Sequence, residues 1–402
     1  MDSTTITSVS NIDNQINQEN QENQNQIQAH FDFLANAIDP DSNFDFDKEE
    51  CFTLRFDETC HNIAAGYSTG FLGIYNLEKP ETSLDYRKAY NLSTFPITCL
   101  RWKPFNKTTL ILVTAEGYIL QVHSKSGKIL QQIQEENNPL MCVDYSQDGM
   151  LFATGGNDKY VRLYDDNTKT LIRKLERHRY DLPEHSNRIF AVKFSKKEPN
   201  LLLSGGWDNT ILLYDIRARE VQNYLYGPHI CGDGMDLKDD LLLTVSWEKE
   251  DQIQLFDLKM NKKIGVFQMN IEENPENNKS KLDNVSYLYS CRFNPVNNTF
   301  CVTGSNKNYL RIYDYNNLNS DNITESRIKG ILDLNSLQHP CYCCDYNLKG
   351  NKLIYGSAKS KIKGIYDLKD LNEPCYCCDY NLKGDKLAYG CAKSKIDFLD
   401  LQ

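Results

Sequence analysis

His185, Ser204 and Asp208 are the side chains of this sequence that most resemble a hydrolytic triad. In such a triad a carboxylate orients an imidazole, and the imidazole takes the proton of the serine that attacks a carbonyl carbon. A hydrolase needs one unique arrangement of this kind, together with a site for the oxyanion. Fragments of the arrangement recur along this chain at the same place relative to the predicted strands. We therefore interpret the three residues as structural and predict no enzyme activity.

Cysteine is the other residue type with possible chemistry, since the chain contains 14. Two C-x-C pairs, Cys341 with Cys343 and Cys375 with Cys377, could form a four-cysteine zinc site. Structural zinc prefers cysteines separated by about two to four residues on a turn, whereas C-x-C on a strand places both thiols on one face. The sequence also lacks a P-loop and an H-E-x-x-H motif. We therefore predict core packing for these thiols, no metal site and no cofactor.

The elements that would position these residues repeat along the chain. Segments ending in an aromatic residue and aspartate stand at 161–165, 211–215, 253–257, 310–314 and 363–367, where they read V-R-L-Y-D, I-L-L-Y-D, I-Q-L-F-D, L-R-I-Y-D and K-G-I-Y-D. With weaker versions near residues 75 and 122, these segments are 42 to 57 residues apart. That period is typical of a propeller blade made of four short strands.

One whole unit is visible in residues 187–215, where two apolar segments, the turn W-D-N-T and the aromatic-Asp segment follow one another. This pattern resembles the WD40-repeat family, and the resemblance covers roughly residues 51–402. It implies an all-β, WD40-type β-propeller with seven blades, or eight. It also implies a hydrogen-bonded tetrad in the fourth blade, formed by His185, Ser204, Asp208 and Tyr214. The third blade keeps Thr154, Asp158 and Tyr164 but offers no matching histidine.

The same resemblance implies a non-catalytic scaffold or adaptor that binds partner proteins through the loop face of the ring. The residues expected to bind them are Trp207, Arg188, Phe190, Asn157 and Trp247. Aromatic and arginine side chains dominate binding hot spots. For Trp207, packing on its own turn is the alternative. The unusual segment 226–233, Y-G-P-H-I-C-G-D, predicts a demanding turn and has no assigned ligand.

Two other functions stay open from the sequence. One is a substrate-presenting adaptor of a ubiquitin ligase, which would need a separate subunit because no F-box-like helical domain precedes the ring. The other is a phosphoinositide-binding propeller, because residues 51–76 are similar to the first blade of that class. The paired arginines that clamp phosphates in that class are absent. The biased composition favours a ciliary or intracellular-transport assembly among the scaffold roles.

Acidic charge is concentrated at the beginning of the chain. Of the 55 acidic and 45 basic residues, eleven acidic and one basic lie in residues 1–50, so the remaining 44 of each sign cancel. A neutral ring is a poor match for nucleic acid, whose binding depends on neutralising phosphates. The sequence shows neither a secretion signal nor a long apolar run. We therefore expect protein partners, no integral membrane segment and a reducing compartment, cytoplasmic with ciliary or nuclear alternatives.

The sequence divides into four parts. They are a disordered Asn/Gln-rich acidic tail over 1–29, an extension with a possible ring-closing strand over 30–50, the propeller over 51–368 and a duplicated partial repeat over 369–402. Residues 340–362 recur as 374–396 with 20 of 23 positions identical. Each copy has room for three strands only. We prefer seven blades with one surplus copy, because an eight-membered ring would leave a strand edge unpaired.

Overall fold

A computed structural model describes residues 51–58, 62–76, 88–176, 182–218, 221–267, 287–293, 298–305, 309–315, 332–333, 345–346, 353–354, 375–380, 386–391 and 396–400. The predictions for the tail, for the ring-closing strand and for the paired cysteines lie outside the residues or side chains described. The four-part division of the chain therefore stays a prediction.

All regular secondary structure in the described residues is β-strand. Six sheets of four antiparallel strands follow one another, and we number them blades 1 to 6. Blade 1 has β1 (Cys51–Phe56), β2 (Asn62–Tyr67), β3 (Phe71–Asn76) and β4 (Lys88–Asn91); blade 2 has β5 (Ile97–Trp102), β6 (Thr109–Thr114), β7 (Tyr118–His123) and β8 (Ile129–Gln134); blade 3 has β9 (Leu140–Tyr145), β10 (Leu151–Gly156), β11 (Val161–Asp165) and β12 (Leu171–Leu175). Blade 4 has β13 (Ile189–Phe194), β14 (Leu201–Gly206), β15 (Thr210–Asp215) and β16 (Val221–Tyr226); blade 5 has β17 (Met235–Lys238), β18 (Leu241–Val245), β19 (Ile253–Asp257) and β20 (Lys262–Phe267); blade 6 has β21 (Tyr287–Phe293), β22 (Thr299–Ser305), β23 (Tyr309–Asp314) and β24 (Leu332–Asp333).

The apolar content of each strand follows its place in the blade. All six residues of β6 are buried, and β15 is buried except for its last residue. Strands buried on both faces read as continuous apolar runs, because neighbouring sheets cover each face. The outer strand β8, I-L-Q-Q-I-Q, contains half-buried and exposed residues only. Buried apolar residues of neighbouring blades pack in shared clusters, so the core lies between the blades. Each fully buried Leu or Ile contributes about 1.5–3 kcal/mol.

The first strands of consecutive blades line the centre of the ring, since β1 contacts β5, β5 contacts β9, β9 contacts β13, β13 contacts β17 and β17 contacts β21. In blade 4 the pairing shifts between Ile189 and Ala191, so Phe190 is an extra residue in its strand. The same shift occurs in blades 1, 2, 3 and 6. Such bulges re-aim side chains. Three residues after each bulge stands a charged residue: Arg55, Arg101, Asp144, Lys193 and Arg292.

Four of these basic side chains meet one carboxylate, and we call the five residues the charge cluster. Asp233 pairs with Arg55 and Arg292, lies 3.1 Å from Lys193 Nζ and lies 3.4 Å from Arg101 Nη2. Burial, with repulsion from Arg292 and Arg101, holds the pKa of Lys193 well below its usual value. Blades 1, 2, 4 and 6 are therefore joined through one side chain of the connection into blade 5.

Other carboxylates near the centre join neighbouring blades. Asp144 accepts hydrogen bonds from Arg101 Nε at 3.1 Å and from the backbone N–H of Phe194 at 2.9 Å. Asp236, which stands at the matching position of blade 5, accepts one from the backbone N–H of Phe293 at 2.8 Å. Hydrogen bonds to a charged acceptor contribute about 1.5–3 kcal/mol each. The inner charges therefore hold consecutive blades in register.

The two C-terminal copies form separate small sheets. The first copy gives β25 (Asp345–Tyr346) paired with β26 (Leu353–Ile354). The second gives a three-stranded sheet of β27 (Cys375–Tyr380), β28 (Lys386–Cys391) and β29 (Ile396–Asp400). Strand β27 contacts β1, while β25 contacts both β21 and β27. The second copy therefore lies beside blade 1, and the number of blades stays a prediction.

Candidate binding surface

The four residues expected to form a tetrad lie together in blade 4. His185 Nδ1 donates to Asp208 Oδ2 at 2.8 Å, since a carboxylate can only accept. His185 Nε2 is 2.7 Å from Ser204 Oγ, and the Tyr214 hydroxyl is 3.4 Å from the same oxygen. These contacts connect the start of the blade, its second strand, its turn and its third strand.

Asp208 anchors the turn between β14 and β15. It also accepts hydrogen bonds from the backbone N–H groups of Ser186 and Thr210. Burial raises the pKa of Asp208, but the His185 imidazole and the two N–H groups outweigh it, so the pKa lies below its usual value. Asn209 in the same turn has a φ of 56°, a left-handed conformation that Asn tolerates.

The arrangement is closed to a substrate. Ser204 is 0% exposed, and the side chains of His185 and Asp208 are 0% and 2% exposed. A nucleophile must reach the carbonyl that it attacks. The buried tetrad therefore has the geometry of a packing element.

A second serine motif lies elsewhere, because Gly66–Gly70 reads G-Y-S-T-G and matches the G-x-S-x-G pattern of α/β-hydrolases. In those enzymes the serine stands on a turn from a strand into a helix. Here the turn joins β2 directly to β3, and the N–H of Gly70 donates to the carbonyl of Tyr67 at 3.1 Å. The match is therefore a hairpin turn.

The sequence of blade 3 offers no histidine for a tetrad, and in the structure a glutamate takes that place. Glu135 Oε1 accepts hydrogen bonds from Thr154 Oγ1 at 2.6 Å and from the Tyr164 hydroxyl at 2.9 Å. Arg162 Nη1 lies 2.8 Å from Glu135 Oε2, and Arg162 also pairs with Asp158. The sequence pattern missed Glu135 because it requires a histidine, although the carboxylate lies five residues before β9, close to where His185 precedes β13.

Five rings form a continuous patch on the loop face, which we call the aromatic surface: Phe190, Trp207, His229, Trp247 and Tyr287. Trp207 stacks on Phe190 at 5.2 Å, on His229 at 5.6 Å and on Trp247 at 6.4 Å between ring centres. Trp247 lies 4.8 Å from Tyr287. All five side chains are half-buried. The surface spans blades 4, 5 and 6.

The segment Tyr226–Asp233 positions the middle of this surface. The N–H of His229 donates to Ser246 Oγ at 3.0 Å, and the His229 carbonyl accepts from the N–H of Trp247 at 2.8 Å. His229 Nδ1 lies 2.8 Å from Asn209 Oδ1. The next residue, Ile230, is completely buried, and Asp233 follows in the charge cluster. The segment is therefore the link between the aromatic surface and the centre of the ring.

Arg188 adds a cation to the surface. Its guanidinium carbon lies 4.8 Å from the ring centre of Trp207, a cation–π geometry. Burial raises the pKa of the neighbouring Cys231 to about 11, although Trp207 and Arg188 both act to lower it. Cys231 is therefore a neutral thiol near pH 7.

The structure brings together four of the five residues expected to bind partners: Trp207, Arg188, Phe190 and Trp247. Asn157 is exposed on the matching turn of blade 3, and among the described residues no contact joins it to the aromatic surface. His229 and Tyr287 belong to the surface but were not identified from the sequence. The unusual composition of 226–233 was the available signal for His229, whereas Tyr287 carries no local signal.

Comparison with known proteins agrees with this architecture. The family model "WD domain, G-beta repeat" matches residues 127–165 and 176–215. The fold is a WD40-type β-propeller, and two stretches of the chain match WD repeats. Proteins with this fold and these repeats are generally non-catalytic. Within the described residues, no helix combines the length and the apolarity that a bilayer crossing requires.

Similar proteins include Protein SOF1 of Saccharomyces cerevisiae, 24% identical over 74% of this chain and 59% of its own length. "Cell division cycle 20.4, cofactor of APC complex" of Arabidopsis thaliana is 27% identical over 34% of this chain and 30% of its own. A chain in a crystal structure of the mitotic checkpoint complex has a TM-score of 0.62 at 12% identity, with 90% of each chain covered. The chain spans 24% to 59% of the length of three curated relatives that it matches.

Proposed function

We propose that this protein is a scaffold or adaptor that binds partner proteins through the aromatic surface and Arg188. The observation that carries the proposal is a stack of rings that continues across three blades on the loop face. Interfaces concentrate their binding energy in Trp, Tyr and Arg residues near the centre of the contact. Because Trp207 contacts three other rings of the surface, we assign it the central role.

The surface is ordered before any partner arrives. The N–H of His229 donates to Ser246 Oγ and the N–H of Trp247 donates to the His229 carbonyl, and these two bonds fix the backbone beneath the rings. The tetrad holds the turn that carries Trp207 through Asp208. A preorganised surface loses less conformational entropy on binding. We include Asn157 as a peripheral contact, because the corresponding turn of blade 4 carries Trp207.

Affinity capture with the intact chain tests the proposal, with Trp207→Ala/Arg188→Ala as the variant. We expect bound proteins to be lost from the variant by more than about tenfold, since hot-spot truncations cost at least about 2 kcal/mol each. Phe105→Ala is the matched control, because Phe105 is 79% exposed and lies in the β5–β6 loop at the opposite end of its blade. Equal recovery with the Trp207→Ala/Arg188→Ala variant would refute the proposal.

An adaptor role within a multi-subunit assembly is the second candidate. The relative named as a cofactor of the APC complex favours it, and so does the propeller in the mitotic checkpoint complex. We propose the substrate-presenting form of this role as the alternative to a ciliary or intracellular-transport scaffold in the cytoplasm or nucleus. The identities of the captured proteins distinguish these two.

A further inference from the structure

We propose that the aromatic surface recognises a peptide segment that places an Asp or Glu carboxylate on Arg188 and an adjacent apolar side chain on the rings of Trp207 and Trp247. This inference rests on the proposed function and specifies the chemistry of the partner.

Arg188 differs from the other arginines whose side chains the structure describes. Those six have oxygen partners: Arg55 and Arg292 pair with Asp233, Arg101 with Asp144, Arg162 with Glu135, Arg217 with Asp215, and Arg173 with three carbonyl oxygens. Within the described residues, Arg188 has no carboxylate partner, and its Nε is buried without an acceptor. An uncompensated, half-buried guanidinium is costly. A carboxylate from outside would remove that cost.

Nearby acidic groups are already engaged. Asp208 accepts from His185 and from two backbone N–H groups. Glu248 Oε1 accepts from Asn209 Nδ2 at 2.9 Å. Cys231 lies close enough to feel the charge of Arg188, but its pKa of about 11 keeps it neutral. Each of the two carboxylates therefore has another hydrogen-bond partner, and the thiol carries no charge.

The rings define the second half of the ligand. The indole N–H of Trp207 is buried and has no hydrogen-bond acceptor among the described residues. The indole N–H of Trp247 has no acceptor within the part of the chain that is described. The donors near the surface thus outnumber the strong acceptors, while the ring faces are apolar. A segment with an acidic residue beside an apolar one matches both properties.

The chemistry of the guanidinium favours a carboxylate over a single carbonyl oxygen. A carboxylate can accept two parallel hydrogen bonds from a guanidinium, whereas a carbonyl oxygen offers one acceptor atom. The charge-assisted pair contributes more than a neutral one, equivalent to about a tenfold change in affinity or more. The acidic residue should therefore contribute most of the affinity, and the apolar residue should position the peptide on the rings.

The experiment measures binding of short acetylated and amidated peptides that each contain one Phe next to Asp, Glu, Asn, Gln, Lys or Arg. Fluorescence anisotropy of a labelled peptide gives the affinity for the full chain. Tryptophan emission reports the location, because Trp207 and Trp247 are two of the three tryptophans and the third, Trp102, is buried. We expect Asp and Glu peptides to bind about tenfold more tightly than their Asn and Gln isosteres.

Two arginine variants give matched controls. Arg188→Gln should abolish the preference for acidic peptides, whereas Arg217→Gln, at an arginine with a 70% exposed side chain paired with Asp215, should keep it. Arg188→Lys should retain part of the preference, because it keeps the charge and loses the fork. Unchanged melting temperatures show that these variants are folded.

Three results would overturn the inference: equal binding of acidic and neutral peptides, preference for Lys or Arg peptides, or no binding of any peptide. Preference for basic peptides with a tryptophan emission change would leave the proposed function intact. Failure of the proposed function is seen separately, as undiminished capture of proteins by the Trp207→Ala/Arg188→Ala variant.

Discussion

His185 joins three parts of blade 4 through one imidazole ring. Its two nitrogens reach a turn carboxylate and a strand hydroxyl, and both partners are buried. The result is a turn fixed by a side chain, so the position of Trp207 is determined by its neighbour Asp208. A buried network of this kind stabilises only when every member is satisfied.

Asp208→Ala should therefore destabilise the protein. The substitution removes the acceptor for His185 Nδ1 and for two backbone N–H groups, and leaves the donors of the buried residues His185 and Thr210 unpaired. We expect the free energy of unfolding to fall by roughly 1–3 kcal/mol, measured by chemical denaturation. Glu136→Gln, at an exposed carboxylate, is the control and should leave stability unchanged. A parent-like midpoint for Asp208→Ala would show that the carboxylate is solvated.

Acid should weaken the same contact. The pKa of Asp208 in the folded chain lies below its ordinary value, so its contribution is complete above the unfolded pKa of about 3.9. That contribution is lost as the pH falls through the folded pKa. The difference in melting temperature between the parent and Asp208→Asn should therefore shrink as the pH is lowered below about 4. A difference that stays constant over this range would contradict the assignment.

Individual residues of the site differ in how far sequence could predict them. Trp207 and Trp247 follow the second strand of their repeats, so the repeat pattern alone places both on one face. Glu135 was missed because a carboxylate replaces the imidazole of the pattern while accepting the same hydroxyls. Tyr287 joins the surface through a neighbouring blade, and such contacts between blades leave no trace in local spacing.

The first strand of each described blade faces the centre, and in blades 1, 2, 3, 4 and 6 its bulge and its inner charge recur together. Position 193 and its counterparts carry the charge, but the convergence of four cations on Asp233 depends on blades far apart in sequence. Alternation along a strand predicts which residues face inward. It does not predict which of them meet across the ring.

Asp233→Asn should destabilise the ring strongly. It removes the carboxylate shared by Arg55, Lys193 and Arg292, and removing one partner of a buried ion pair costs on the order of 3 kcal/mol. Adding Lys193→Met should recover part of this loss, because burial and neighbouring arginines already disfavour the charged amine. Denaturant midpoints of the single and double variants measure both effects. Asp251→Asn, on a 52% exposed side chain, is the control.

If Asp233→Asn unfolded at the same denaturant concentration as the parent, the cluster would be solvated rather than joined through Asp233. If the double variant were less stable than the single one, Lys193 would be stabilising as a cation, and the direction of its pKa shift would be wrong.

At the scale of the whole molecule, the period of the aromatic-Asp segments predicted the architecture because each blade needs the same strand endings. The number of blades depends instead on the two C-terminal copies, which are 20 of 23 residues identical. Since both copies carry the same pattern of inward and outward residues, either could occupy the place beside β1. Because the two copies are nearly identical, the sequence does not predict which of them packs against β1.

Excision of residues 363–396 tests the blade number. In a seven-bladed ring one copy is surplus, so the 368-residue product should unfold cooperatively with equal or higher stability, because blades are supported chiefly by their neighbours. The product joins Ile362 to Asp397 and retains one complete C-terminal copy. Circular dichroism during heating provides the measurement. Aggregation, or loss of a cooperative transition, would favour eight repeats.

The segment Tyr226–Asp233 makes the rings of the surface and the charges at the centre parts of one thermodynamic system. Only three residues separate His229 from Asp233, and one of them, Ile230, is completely buried. If binding at His229 and the pairing of Asp233 are energetically coupled, reciprocity requires that each changes the other by the same factor. Partner binding at the surface would then change the hydrogen-exchange protection of backbone amides in distant blades.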